Sequence, residues 1–326
     1  MTDTAGSAVA AADGLFDKYV LPKVALTVIL AASLAGTAAS VRLTGGWAPV
    51  ATLGTWGYLV AVGVLAGGLC WKHGFVRPAD LADDAGAYCE RMSGRFDRIA
   101  VGASAVVAVG GAVALARYAA AGLTTLVGAL AATLVALVLV VAGNAARSAP
   151  VERRFRSPVG LAALGLAGLA VALTATAEVA LRGGDFAAVG VRILHLSAFA
   201  AWVGGAVWNI FVAVPTGKER PTVGTAAAAG QQLERFRRAV RLIIPTLLLT
   251  GLYQAVDALG TSLGTYLASV VGLVVLAKAG SIGVLFAVFK LCPMWRACSP
   301  IDGVCDISAG LDGAGETAPS ESVHDD

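Results

Sequence analysis

Residues 192–205 read RILHLSAFAAWVGG. The run is apolar enough to cross a bilayer, yet it carries an imidazole, His195, and seven residues on, along the same helical face, an indole, Trp202. A Gly-Gly pair follows, Gly204 and Gly205. Ionisable side chains at membrane depth cost free energy and tend to mark function, so this helix sets both the fold class and the place to look for chemistry.

The rest of the chain has the same character. Of 326 residues, 57% are apolar and 14% charged, with a mean hydropathy of +0.78. A soluble domain is about a quarter charged, so the solvent of this chain is mostly lipid. Stretches long enough to span about 30 Å of hydrocarbon recur at 20–42, 49–71, 98–118, 121–143, 158–181, 187–213, 236–259 and 264–291. The sequence therefore predicts an all-α, polytopic bundle of eight transmembrane helices. Abundant Gly and Ala inside the spans suit helices packed backbone to backbone.

Basic residues orient the bundle. Lys72, Arg77, Arg91, Arg95 and Arg98 follow span 2. Arg147, Arg153, Arg154 and Arg156 follow span 4, and Lys218, Arg220, Arg235, Arg237, Arg238 and Arg241 follow span 6. The alternate loops hold Arg42, Arg117, Arg182 and Arg192. The positive-inside rule makes the richer side cytoplasmic, with both termini there and the chain in the plasma or inner membrane. The net charge of +3 is then an effect of topology and gives no reason to expect nucleic acid. No nucleotide-binding loop occurs. The first nineteen residues make a poor secretory n-region, so span 1 is expected to be retained. All five cysteines fall on the cytoplasmic side. Their surroundings argue against disulfides, and three in the tail (Cys292, Cys298 and Cys305) are either free thiols or soft donors for Cu(I).

The two halves of the chain match. GGLCWKHGFVRP (67–78) and GGAVWNIFVAVP (204–215) share G-G-x-x-W and a later Pro at an offset of 137 residues; RFDR (95–98) and RFRR (235–238), with Gly111 and Gly251, match at 140. The predicted organisation is an N-terminal segment 1–19, a four-helix unit 20–143, a loop 144–157, a second four-helix unit 158–291 and a tail 292–326 expected to be disordered. Units of four spans insert with the same orientation, as parallel repeats. Tyr58, Leu65 and Val138 of the first copy stand where the second has His195, Trp202 and Lys278, so the chemistry is expected in the second copy, over a scaffold formed by the first.

In span 7, Thr246, Thr250, Gln254 and Asp257 share one face after Pro245; in span 5, Thr174 and Glu178 are four apart. The topology puts Glu178, His195, Gln254 and Asp257 near one outer level, with Trp202 and Lys278 deeper. The expectation is a vestibule in which His195 ligates a metal ion, with Glu178, Gln254 and Asp257 as co-ligands or attractors. Trp202 closes the route below. Lys278 either pairs with a carboxylate or forms a positive barrier.

Taken together, LHLSAFAAWVGGAVW (194–208), RFRRAVRLIIPTLLLTGLYQAVDALG (235–260) and YLASVVGLVVLAKAGSIGVLFAVF (266–289) resemble the CopD copper-resistance domain. His195, Trp202, Gly204, Gly205, Arg235, Phe236, Thr250, Gly251 and Lys278 fill its motif over about residues 190–290. The resemblance implies copper transport or homeostasis, with a copper ion as cargo and an extracytoplasmic copper-binding protein as partner. The span bearing His195 and Trp202, with the later Lys278, is also similar to the HemJ type of membrane protoporphyrinogen oxidase. That resemblance implies a haem-binding oxidoreductase, with the histidine on iron and the lysine on a propionate or substrate carboxylate. A non-catalytic membrane partner protein is the third reading.

Overall fold

The computed structural model describes residues 20–45, 48–77, 85–147, 150–220 and 222–291, with the side chains of 20–22, 152, 223, 237 and 285–291 left aside. The N-terminal segment 1–19 and the tail with Cys292, Cys298 and Cys305 lie outside the described residues. Eight long helices run in chain order: α1 (Val20–Gly45), α2 (Pro49–Cys70), α3 (Gly86–Ala120), α4 (Thr124–Ala145), α5 (Pro158–Ala180), α6 (Phe186–Val207), α7 (Val223–Leu259) and α8 (Val270–Leu291). No strand occurs among the described residues. Seven of the helices are long and apolar enough to cross a membrane, and in α8 the apolar stretch described is Val270–Val284. The chain is an all-α, multi-pass membrane protein.

Local sequence explains where the helices begin. Pro49 and Pro158 open α2 and α5, where a missing N–H costs nothing. The side chains of Ser157, Asp185 and Thr222 cap α5, α6 and α7 by accepting from the N–H three residues on, satisfying donors that a helix start leaves free. The eighth predicted span is a correction. A short helix, Leu263–Ala268, ends at Ser269, whose backbone is extended (φ −116°, ψ 143°), and α8 begins only at Val270.

The repeat is visible in the contacts. A Cβ on Gly204 would lie 2.3 Å from the carbonyl carbon of Gly67, and one on Gly67 would lie 2.9 Å from Cα of Gly204. The matched glycines of α2 and α6 thus face one another. Their neighbours do likewise: Gly68 holds the ring of Phe96, and Gly205 that of Phe236. Trp71 then meets Phe236 at 5.3 Å between centroids, and Trp208 meets Phe96 at 5.4 Å. Each aromatic pair takes one ring from each half, as an approximate two-fold axis requires of a self-matching interface. Both matched segments also widen into a π turn starting at the tryptophan, Trp71–Phe75 and Trp208–Ala213.

Helix pairs follow the same rule. The packing of α2 on α3 corresponds to α6 on α7, α4 on α5 to α8 on α1, and α5 on α6 to α1 on α2, with α2 on α6 at the centre. One correspondence fails. α3 packs closely on α4, but among the described residues α7 and α8 form no comparable interface.

Replacing Gly204 by Val is expected to lower stability in detergent by about 1–3 kcal/mol, because backbone blocks the added atoms. Gly165→Ala, where a Cβ meets nothing within 4 Å, is expected to leave the melting temperature within error. Thermal unfolding of the two variants checks both.

Candidate functional site

The polar residues of α5, α6 and α7 form one hydrogen-bonded chain. Glu178, near the end of α5, is buried and takes Nε and Nη2 of Arg192 from α6. Nη1 of Arg192 donates to Oε1 of Gln254 on α7 at 2.7 Å. Nε2 of Gln254 in turn donates to the carbonyl of Thr250 at 3.0 Å. The hydroxyl of Thr250 gives its one proton to the carbonyl of Thr246. It therefore accepts at its 2.8 Å contact with Nδ1 of His195. That fixes the tautomer: Nδ1 carries the proton and Nε2 keeps the lone pair. No described residue bonds to Nε2.

Space around the ring is set by Gly251, whose added Cβ would lie 3.5 Å from Cε1 of His195. The sequence repeat holds here too. In the first copy Tyr58 lies against Gly111, 3.6 Å from where a Cβ would stand, and its hydroxyl meets Oγ1 of Thr174 at 2.6 Å. The imidazole thus occupies the position of a buried phenol in the other half.

Lys278 lies eight residues into α8 and His195 nine residues into α6, about 12–14 Å below their helix starts. α8 starts later than the sequence pattern suggests. The amine sits over Gly36 of α1, 3.1 Å from where a Cβ would be. Lys278 and Arg192 are both within electrostatic reach of the imidazole. No described carboxylate pairs with Lys278, so the expected structural ion pair is not formed among these residues.

The expected vestibule has more cations than carboxylates around it. Arg117, Arg182, Arg192 and Lys278 surround it, against the carboxylates of Glu178 and Asp257. Glu178 and Oε1 of Gln254 are engaged by Arg192, so neither is free for a metal as it stands. Asp257 is exposed and outside the hydrogen-bonded chain, acting only on Arg182 through space. Among the described residues no group of three His, Cys, Asp or Glu side chains converges to hold a metal ion. Trp202 packs in an apolar cluster with Leu26, Val64 and Ile243 instead of standing in an open route.

Arg192 is the residue that the sequence reading left in a loop. Its signal was there: it precedes His195 by three residues, so the two share a helix face. Ser40, Thr44 and Arg117 were missed as well. With Glu178 and Arg182 they line a void of about 10 Å³, close to what one water needs. His73, read as a loop residue, is buried in the first π turn. Its Nδ1 accepts from the N–H of Arg156 at 2.9 Å, and its ring takes the place of any side chain at Gly160. That histidine ties two segments together at the far end of the bundle.

No family model, curated protein or solved structure matches the chain.

Arg192→Gln removes the guanidinium hydrogen-bonded to the buried Glu178 carboxylate and is expected to cost about 3–5 kcal/mol. Replacing both residues by Met is expected to cost less than the single change. Comparing the melting temperatures of the two variants checks the sign of that difference.

Proposed function

We propose that this chain is a membrane haem protein of oxidoreductase type, in which Nε2 of His195 is the protein's one ligand to iron. The observation that carries the reading is the unpartnered Nε2, held in a single tautomer by the Nδ1–H bond to Thr250. An outward second-ring hydrogen bond of this kind orients a metal-binding imidazole. A site with one donor and no converging group of three suits a metal that brings its own equatorial ligands.

The surroundings point the same way. Lys278, within electrostatic reach of the imidazole and without a described carboxylate partner, would hold a propionate by charge-assisted hydrogen bonding. Arg192, engaged with Glu178 and Gln254, would keep the rim of the site positive without competing for iron. Gly251 would leave room beside the ring. Bound there, haem would supply one-electron or oxygen chemistry. The chain's own part would be to orient the imidazole, neutralise a carboxylate and exclude water with the apolar walls of α7 and α8. On the positive-inside pattern, the site would lie in the outer half of a plasma or inner membrane.

Copper handling is the second reading, favoured by the nine residues that fill the copper-resistance motif. In that case the imidazole would hold Cu(I), which accepts few ligands. Since Arg192 holds the oxygens of Glu178 and Gln254, the remaining donor would come from an anionic carrier or an extracytoplasmic copper-binding partner.

Full-length protein purified in detergent, analysed by visible spectrum and metal content, separates the readings. The expected result is a Soret band with about one iron per chain, both lost in His195→Ala. Copper without iron, lost in the same variant, supports the second reading. Absence of both metals in protein expressed with haem precursor and copper supplied overturns the two together and leaves the non-catalytic partner reading.

A further inference from the structure

We propose that the slot between α7 and α8 admits a single-chain amphiphilic carboxylate directly from the bilayer, its head group pairing with Lys278. The inference shares the site with the metal reading but does not require a metal on His195.

Its basis is the one broken correspondence between the two halves. In the first copy, Leu134 of α4 closes over Gly111, its Cδ1 3.2 Å from where a Cβ would stand, and α3 and α4 pack along their length. In the second copy the equivalent glycine, Gly251, has only Cε1 of His195 within 4 Å of that position. No described side chain of α8 takes the place of Leu134. α8 instead packs on α1, where Gly36 receives the amine of Lys278. The second copy is thus opened at the point where the first is filled.

The helix surface beside the opening and its base differ in chemistry. α7 exposes Leu248, Leu249, Leu252 and Val256, and α8 exposes Leu273 and Val284, apolar walls open to lipid as the equivalent face of α3 is. Lys278 is half-buried and no described carboxylate accepts from it. A cation inside a membrane without an anion is costly. A ligand that carries both an apolar chain and a carboxylate would cover the walls and satisfy the amine. Head-group chemistry selects among lipids: a fatty acid brings one chain and one compact carboxylate to the amine, without the glycerol and second chain of a phosphodiester lipid. A carboxylic acid can enter in its neutral form and pass its proton to the neutral Lys278 amine, which forms the ammonium–carboxylate pair.

Native mass spectrometry of the full chain in detergent, with oleate as the probe, tests this. One oleate per chain is expected on chains that carry no haem, whose propionate would take the same amine, so failure of the metal reading leaves this result standing. Lys278→Gln should weaken binding about tenfold to a hundredfold, the loss of one charged hydrogen bond. Lys278→Arg should retain binding, which separates lost charge from lost folding. Methyl oleate and dioleoyl phosphatidylglycerol should bind at least tenfold more weakly than oleate. Equal binding by the ester, equal binding by the phospholipid, or unchanged oleate affinity in Lys278→Gln would overturn the proposal.

Discussion

The crossing of α2 and α6 at Gly67 and Gly204 is the constraint on which the bundle rests. Helices in lipid gain nothing from hiding apolar surface from one another; close van der Waals contact and interhelical hydrogen bonds draw them together instead. Two glycines meeting near an approximate two-fold axis permit that contact with backbone itself. Because the axis repeats whatever lies beside it, the same approach seats Phe96 on Gly68 and Phe236 on Gly205. The tryptophans after each glycine pair then close the interface from both sides.

A repeat of this kind makes departures from symmetry informative. The first copy is filled with apolar and neutral groups: Tyr58 hydrogen-bonded to Thr174, Leu134 over Gly111, α3 against α4. The second copy keeps the glycine and the helix positions but changes three things. A phenol becomes an imidazole, an aliphatic position becomes Lys278, and the described part of the fourth helix forms no comparable interface with the third. Each change by itself weakens packing. Together they give a site with a nitrogen lone pair, a cation and an opening, which a packed scaffold does not need.

Electrostatics decides what that site accepts. The carboxylate of Glu178 attracts cations only while it is free, and Arg192 holds it through two guanidinium nitrogens. The same arginine draws Gln254 toward Thr250, and Thr250 turns the imidazole. Arg192 therefore acts on His195 by its charge, while the hydroxyl of Thr250 orients the ring. A bare cation meets a positive rim here, whereas a metal carrying anionic ligands, or an anionic amphiphile, meets a complementary one.

Much was legible without coordinates. Hydropathy and span length gave the helix class and most boundaries. The G-G-x-x-W match at 137 residues located the paired interface, because the demand for a residue without a side chain is local and leaves a mark in the sequence. His195, Glu178, Gln254 and Lys278 stood out because polar groups are rare in such a chain. What a side chain does with its charge depends on the nearest opposite charge, and that neighbour came from another helix. Glu178 and Gln254 read as metal ligands until Arg192, far from Gln254 in the chain, was found between them. The start of α8 depended on a break at Ser269 that apolar periodicity does not record. The gap between α7 and α8 is a property of how helices lean. Only tertiary packing fixes that, since the same apolar faces can close on one another or on lipid.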